Sequence, residues 1–382
     1  MKILLVFLLP LFPLFSNSFL AISQSSINGS FDFDGLTRTY SFYVPASYNP
    51  NTPTPLVIGL HGTGSSGAEF EQYRDFRPIA DTANFIMVNP DGSTMFGLKF
   101  WNYENILGST VDDIGFLEAL IDTISNHYNI NQNRVYATGM SNGSFMCYAL
   151  ACQTNRFAAI GTVTGSMSVN MYNNCNPSHF TPRLHIHGTD DTTNPYAGTT
   201  TMAGIDDANL FWVNHNQCDT TPTIFNISDI NSSDGATATR YLYTGGINGN
   251  TVELFKINGG GHTWPGGPIP GATAITCMDF NASSEIWRFF SQYELNPTAS
   301  LEENKDYEFS IWPNPSHSIF YLKSKTNQKI TQVQLYSLSG KLVLEKHASD
   351  ISNFSCSTIE SGSYILKVKI DQEYLVKRVI ID

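Results

Sequence analysis

Gly139-Met140-Ser141-Asn142-Gly143 decides how this chain is read. The stretch has the pattern G-x-S-x-G and lies between an apolar, strand-like run (134–138) and an apolar, helix-like run (145–152). A strand that turns abruptly into a helix at such a pentapeptide is a nucleophile elbow, which lifts one serine hydroxyl above the sheet edge. Glycines flank the serine because side chains there would clash inside the tight turn. The serine then sits at a helix N-terminus, where backbone N–H groups stabilise negative charge. Ser141 is therefore the expected nucleophile.

A serine hydroxyl needs a base to take its proton and an acid to orient that base. After an elbow of this kind the acid comes next in the chain and the histidine last. Both follow here. The strand-like run 183–187, behind Pro182, leads into Gly188-Thr189-Asp190-Asp191, and the strand-like run 252–257 leads into Gly259-Gly260-Gly261-His262-Thr263-Trp264-Pro265-Gly266. The expected triad is Ser141, Asp191 and His262. Asp190 stays open as the acid, with Asp191 favoured and the other aspartate read as a turn residue that bonds its own backbone.

The oxyanion of the tetrahedral intermediate needs two donors. One is the N–H of the residue after the nucleophile, Asn142. The other comes from the loop behind an early strand. The run 55–60 is that strand and His61-Gly62-Thr63-Gly64 the loop, which makes the Thr63 N–H the second donor. His185 and His187 form an H-x-H pair on one strand face. That is half of a zinc site by spacing, but no third ligand follows nearby, so both are read as structural. No metal and no cofactor are expected.

His61-Gly62, the elbow, His187-Gly188-Thr189-Asp190-Asp191 and Gly261-His262-Thr263-Trp264-Pro265-Gly266 together resemble the polyhydroxybutyrate depolymerase and feruloyl esterase group of α/β-hydrolases. The resemblance runs over roughly 29–293 and includes Val111-Asp112-Asp113-Ile114-Gly115-Phe116-Leu117. It implies the same triad, the same oxyanion donors and ester hydrolysis through an acyl-enzyme. Ser144 departs from the group, which usually has a second glycine there, and the region near Tyr241 lacks a cysteine that many relatives carry. Trp101 and Trp264 are candidates to flank an aromatic or apolar acyl group. The preferred substrate is a feruloyl or acetyl ester on plant cell-wall xylan, a polymeric extracellular ester. The alternative is a polyester of the polyhydroxybutyrate type. A serine peptidase and a catalytically dead binding protein are the weaker readings.

Strand signals recur at 37–44, 55–60, 85–88, 134–138, 158–163, 183–187, 241–243 and 252–257, with helical runs at 112–128, 206–215 and 283–290. Such alternation predicts an α/β fold: a doubly wound, mostly parallel sheet with helices on both faces and its site at the carboxyl ends of the strands. The 382 residues carry a net charge of −12, which argues against nucleic acid and anionic membrane surfaces as partners. Lys2 and the apolar run 3–15 read as a signal peptide ending near residue 23, too short for a transmembrane segment. Export permits disulfides, and among the six cysteines Cys152–Cys175 and Cys218–Cys277 are the expected pairs, with Cys356 left out.

Composition shifts near residue 304. Before it 11 basic face 25 acidic side chains, and after it 10 face 8. Expected boundaries are a signal peptide at 1–23, a catalytic domain at 24–294, a linker at 295–307 and a small all-β sandwich at 308–382. Aromatic residues there alternate along short strands, which favours core packing over a glycan-binding face. Trp312-Pro313-Asn314-Pro315, Tyr336-Ser337-Leu338-Ser339-Gly340 and Gly362-Ser363-Tyr364 before a lysine-rich last strand resemble the type A C-terminal sorting domain of type IX secretion. That resemblance implies recognition by the type IX machinery, and release or attachment at the cell surface.

Overall fold

The computed structural model describes residues 26–267, 273–295, 309–324, 328–337, 341–370 and 373–382. The expected signal peptide and all but the first residue of the expected linker lie outside them. The chain divides into two compact units, the first ending at residue 296 and the second beginning at 297.

The first unit is built on one ten-stranded sheet. Its strands are β1 (Ile27–Phe33), β2 (Leu36–Tyr43), β3 (Thr54–Leu60), β4 (Ile86–Pro90), β7 (Ile130–Met140), β8 (Ala159–Val163), β9 (Arg183–Gly188), β10 (Thr223–Asn226), β11 (Thr237–Tyr243) and β12 (Val252–Asn258). A separate hairpin is formed by β5 (Ser93–Met95) and β6 (Leu98–Phe100). The sheet order is β1-β2-β4-β3-β7-β8-β9-β12-β11-β10. The six strands from β4 to β12 in that order are parallel, and the strands beyond them on either side are antiparallel. The helices are α1 (Gly67–Tyr73), α2 (Arg77–Ala83), α3 (Asp113–Ser125), α4 (Asn142–Gln153), α5 (Val169–Asn174), α6 (Ile205–His215) and α7 (Ala282–Phe290).

Residue alternation explains the layering. Leu56, Ile58 and Leu60 of β3 face one apolar cluster with Phe116, Leu120, Tyr148 and Trp212, while Val57 faces the other with Phe70, Phe85, Phe255 and Phe289. Strands buried on both faces read as the continuous apolar runs seen in the sequence. Each large side chain so buried contributes about 1.5–3 kcal/mol. The edge strands β1 and β10 were not anticipated. Residues 223–226 are all exposed, so no buried face writes a period into them.

The two faces also settle the cysteines. Cys152 bonds to Cys175 with the Cα atoms 5.4 Å apart, tying the end of α4 to the end of α5. Cys218 and Cys277, expected to pair, are both free and buried. They belong to the two different apolar clusters, with the sheet between them, so their sulfurs never meet.

The second unit is all-β. One sheet holds β13 (Phe309–Trp312), β14 (Ile319–Ser324) and β17 (Asn353–Ser355), and the other β16 (Leu342–His347), β15 (Ile330–Ser337), β18 (Gly362–Ile370) and β19 (Glu373–Ile381). Phe309, Phe320 and Phe354 of the first meet Val333, Leu366, Val368 and Val379 of the second in a shared core, which makes the unit a sandwich. Trp312 and Tyr321 instead stack on each other at its surface.

Candidate active site

Strand β7 runs into α4 through Ser141, whose φ of 56° and ψ of −120° lie in a region that residues with a Cβ rarely adopt. The surroundings hold it there. A Cβ on Gly143 would sit 2.1 Å from the Leu60 carbonyl oxygen, and one on Gly62 would sit 3.3 Å from the Ser141 Cβ. The elbow thus presses against the end of β3 and the loop behind it, and at Gly143 the approach is closer than any side chain allows. Residues 143–151 of α4 are all buried, so the helix is a fixed core element.

The acid and histidine loops extend the β9–β12 ladder past its last parallel pair. Thr189 N–H donates to the Ile257 carbonyl (2.8 Å), Asp190 N–H to the Gly260 carbonyl (2.9 Å) and Gly259 N–H to Thr189 Oγ1 (2.9 Å). This zipper brings His262 Nδ1 to 2.8 Å from Asp191 Oδ2. Asp191 Oδ1 accepts from the N–H groups of Thr193 (2.9 Å) and Asn194 (2.8 Å). Burial alone would raise the Asp191 pKa, but the His262 hydrogen bond, the Asn194 N–H and the neighbouring imidazoles together hold it below the usual carboxylate value. Asp190 is exposed and accepts only from Thr189 Oγ1, 2.9 Å away. Of the adjacent pair, then, Asp191 is the one brought to the histidine.

Thr63 and Asn142 line the same cavity as Ser141 and His262. The Asn142 N–H opens α4 and has no acceptor inside its own helix. The Asn142 side chain is occupied elsewhere: its Oδ1 accepts from Trp101 N–H (2.6 Å) and its Nδ2 donates to the Trp101 carbonyl (3.1 Å). Trp101 Nε1 in turn donates to the His61 carbonyl (3.1 Å), and His61 Nε2 accepts from Gly92 N–H (3.0 Å). Burial pushes the His61 pKa down, in keeping with a neutral ring that donates from Nδ1 to the Gly62 carbonyl at 2.7 Å.

Both tryptophans read as substrate contacts are corrected by this geometry. Trp101 is fully buried and fastens the elbow to the oxyanion loop. Trp264 is also buried, donating from Nε1 to Ser283 Oγ at 3.1 Å and packing edge-on against Phe70 and Phe76. Neither lines the cavity that holds Ser141. Each indole N–H has an internal acceptor, which is what allows so large an amphipathic ring to be buried.

The aromatic and apolar lining comes instead from residues the sequence did not single out. The cavity has a volume of about 1030 Å³, and Phe96, Leu98, Tyr103, Leu107 and Phe145 contribute to its walls. Tyr103 and Phe145 stack 5.1 Å apart. Phe96 and Leu107 stand on loop tips at φ 52°, where a turn residue is the usual occupant. A buried ion pair anchors this region: Arg38 Nη2 lies 2.6 Å from Asp113 Oδ1, and Asp113 Oδ2 accepts from Asn102 N–H (2.8 Å) and Ser93 Oγ (3.3 Å). Asp112 caps α3 through the Gly115 N–H (2.8 Å). The only signal in the sequence for this wall was the density of Phe, Leu and Tyr between residues 96 and 107.

A parallel sheet of this order, a strained serine at the β7–α4 turn and an aspartate–histidine pair at the carboxyl ends of β9 and β12 define an α/β-hydrolase carrying the constellation of a serine hydrolase. Comparison with known proteins agrees with that class. Residues 80–215 match the prolyl oligopeptidase family, and residues 310–382 match the secretion system C-terminal sorting domain, so the second unit is a sorting domain of the type IX route. Feruloyl esterase D of Neurospora crassa is 26% identical over 274 residues, covering 69% of this chain and 84% of the relative. A bifunctional acetylxylan esterase/xylanase of Neocallimastix patriciarum is 25% identical over 280 residues, covering 71% of this chain but 35% of the relative, so the chain spans about a third of that protein's length. Among solved structures, an acetyl xylan esterase from Aspergillus awamori superposes with a TM-score of 0.46 at 14% identity, over 66% of this chain and 94% of that one. Among the described residues no helix is long and apolar enough to cross a membrane.

Proposed function

We propose that the protein is a secreted serine esterase that cleaves feruloyl esters, and secondarily acetyl esters, on xylan. The observation that carries this reading is one cavity that holds Ser141, the Asp191-bonded His262, Thr63 and Asn142 under an aromatic wall. His262 Nε2 takes the Ser141 proton as Oγ attacks the ester carbonyl, and Asp191 stabilises the imidazolium that forms. The N–H groups of Thr63 and Asn142 bind the oxyanion, each contributing about 3 kcal/mol to lowering the barrier. The sugar alcohol leaves with the proton from His262, and water then releases the acid by the same route. A cavity of about 1030 Å³ with stacked Tyr103 and Phe145 suits a hydroxycinnamoyl group attached to a polymer better than an acetyl group alone. The names of the relatives support the same substrate class.

The test is acid release by the full chain from feruloylated arabinoxylan, acetylated xylan and amorphous polyhydroxybutyrate, with Ser141→Ala as the blank. Ferulate release that the substitution abolishes is the expected result. Hydroxybutyrate release alone would move the substrate to a polyester and leave the catalytic assignment standing. Hydrolysis that survives the substitution would end it.

A further inference from the structure

Strand β9 carries a polar row through the core. Arg183, His185 and His187 alternate with Leu184 and Ile186, so the three share one face, and all three are fully buried. Buried polar groups persist only where each is hydrogen-bonded, and this row is bonded from end to end. Arg183 donates from Nε and Nη2 to Tyr148 OH (2.9 and 2.7 Å) and from Nη1 to Asn209 Oδ1 (2.7 Å). Thr162 Oγ1 lies 3.2 Å from Tyr148 OH and 2.7 Å from His185 Nδ1. His185 Nε2 is 3.1 Å from His187 Nδ1. His187 Nε2 is 2.8 Å from the Asn194 carbonyl and 3.4 Å from Asp191 Oδ2.

The partners fix the protons. The Asn194 carbonyl only accepts, so His187 carries hydrogen on Nε2. Burial, with the charges of His262 and Arg183 adding to it, outweighs the Asn194 and Asp191 contributions and takes the His187 pKa down to about 4. His187 is therefore neutral and its Nδ1 accepts, which makes His185 the donor from Nε2. Burial pushes the His185 pKa down as well, so its Nδ1 accepts from a hydroxyl. The row thus runs from the Arg183 cation, which has no ion-pair partner among the described residues, to the Asn194 carbonyl beside the Asp191 carboxylate.

We propose that His187 is a positioning residue for the triad acid: it donates its Nε2 hydrogen to the Asn194 carbonyl, while the Asn194 N–H holds Asp191 Oδ1, and it keeps its ring edge 3.4 Å from the carboxylate oxygen that His262 uses, so that the row behind it sets the basicity of Asp191. The proposal rests on the esterase reading above. Asp191 stabilises the positive charge that forms on His262 during proton transfer, so the basicity of Asp191 sets the acid limb of kcat/KM. The groups that face His187 are His185 and Arg183 on β9, Asp191 on the following turn and His262 on its loop, with Thr162 on β8 and Tyr148 on α4 reaching it through His185. Tyr196 completes the set. Its ring lies edge-on 6.0 Å away, its hydroxyl donates to Asp206 of α6 at 2.7 Å, and Lys256 of β12 sits 4.6 Å from that ring.

The experiment is kcat and KM against pH for the full chain on a soluble feruloyl ester, with Ser141→Ala as the blank and His187→Phe and His187→Gln as variants. Phenylalanine keeps the ring's shape and removes the donor, whereas glutamine keeps an N–H where Nε2 stands. The acid limb of kcat/KM is expected to rise by about half to one pH unit in His187→Phe, kcat to fall on the order of tenfold and KM to stay within about twofold. In His187→Gln the limb is expected to return toward that of the unsubstituted protein. A limb unmoved in folded His187→Phe, or moved equally by both substitutions, overturns the proposal. Wild-type hydrolysis equal to the Ser141→Ala blank would instead defeat the esterase reading. Histidine ¹⁵N shifts of the unsubstituted protein decide the matter if a variant does not fold or no hydrolysis is found. A neutral Nε2–H tautomer at pH 5 and above is expected, and an Nδ1–H tautomer or titration near the ordinary histidine pKa overturns the proposal.

Discussion

At the base of the cavity the triad acid and the groups behind it are buried and tied, while at its mouth apolar side chains stand in solvent on loop tips. Asp191 is 3% exposed, with both carboxylate oxygens engaged, and through Asn194 it joins a hydrogen-bonded row that reaches back to Arg183. Phe96 and Leu107 are 86% and 78% exposed. The base is over-determined because proton transfer demands fixed distances, and a displacement of about 1 Å costs about a hundredfold in rate. The mouth makes no such demand. It needs apolar surface near a substrate, and it can change without disturbing the core.

The sharpest way to break this contrast is at Ser141. Ser141→Ala is expected to lower kcat on the order of 10⁵-fold while leaving Tm within a few degrees, measured by ferulate release and thermal unfolding. The two neighbouring aspartates come next. Asp191→Asn keeps the shape but disfavours the tautomer His262 needs, and is expected to lower kcat by about 10⁴-fold. Asp190→Asn, in solvent and outside the His262 bond, is expected to change kcat by less than about twofold. Comparable losses from both substitutions would show that the loop as a whole, rather than one carboxylate, serves the histidine.

The base also leaves a signature in stability. His187 has a folded pKa of about 4 against 6.5 for a free histidine, so at intermediate pH the unfolded chain binds the extra proton. Its contribution is fully present above pH 6.5 and is lost as pH falls from there toward 4, on the order of 3 kcal/mol in all. The lowered His185 pKa acts in the same direction over the same window, whereas the lowered Asp191 pKa acts only below pH 3.8. Tm of the unsubstituted protein should therefore drop between pH 7 and pH 4.5, and drop less steeply in His187→Phe. Parallel curves for the two proteins would mean that His187 does not stay neutral.

The same contrast explains what was legible in the sequence. The elbow, the Gly188–Asp191 turn and the Gly259–His262 loop are stretches where backbone geometry dictates residue type, as the 2.1 Å clearance at Gly143 shows. Spacing and order therefore carried them. The parallel core strands were legible because burial on both faces writes continuous apolar runs. Trp101 and Trp264 were misread because composition marks an aromatic residue without saying whether its N–H has an internal acceptor. The Cys218–Cys277 pairing failed because a count of cysteines does not say which face of the sheet each one occupies. The wall from Phe96 to Leu107 was missed because its shape comes from residues at positive φ on short turns, where no periodicity exists to read.

Phe96 offers the finest test of the contrast. Met95 pairs with Leu98, so Phe96 and Gly97 are the two central residues of the β5–β6 hairpin, and their φ values of 52° and 78° fit a type I′ turn. Asparagine is the favoured residue at the first of these positions, and an exposed phenylalanine there carries about 1 kcal/mol of backbone strain with little burial to offset it. Phe96→Asn should thus leave Tm unchanged or raise it slightly. Yet Phe96 lines the cavity, and losing an aromatic contact of about 1 kcal/mol with a feruloyl group should raise KM roughly fivefold for that ester. For an acetyl ester, which has no ring to reach the wall, KM should not move. A more stable hairpin with a weaker hold on feruloyl substrates would mean that the mouth keeps a strained residue for the sake of selection, whereas equal KM values for both esters would take Phe96 out of substrate binding.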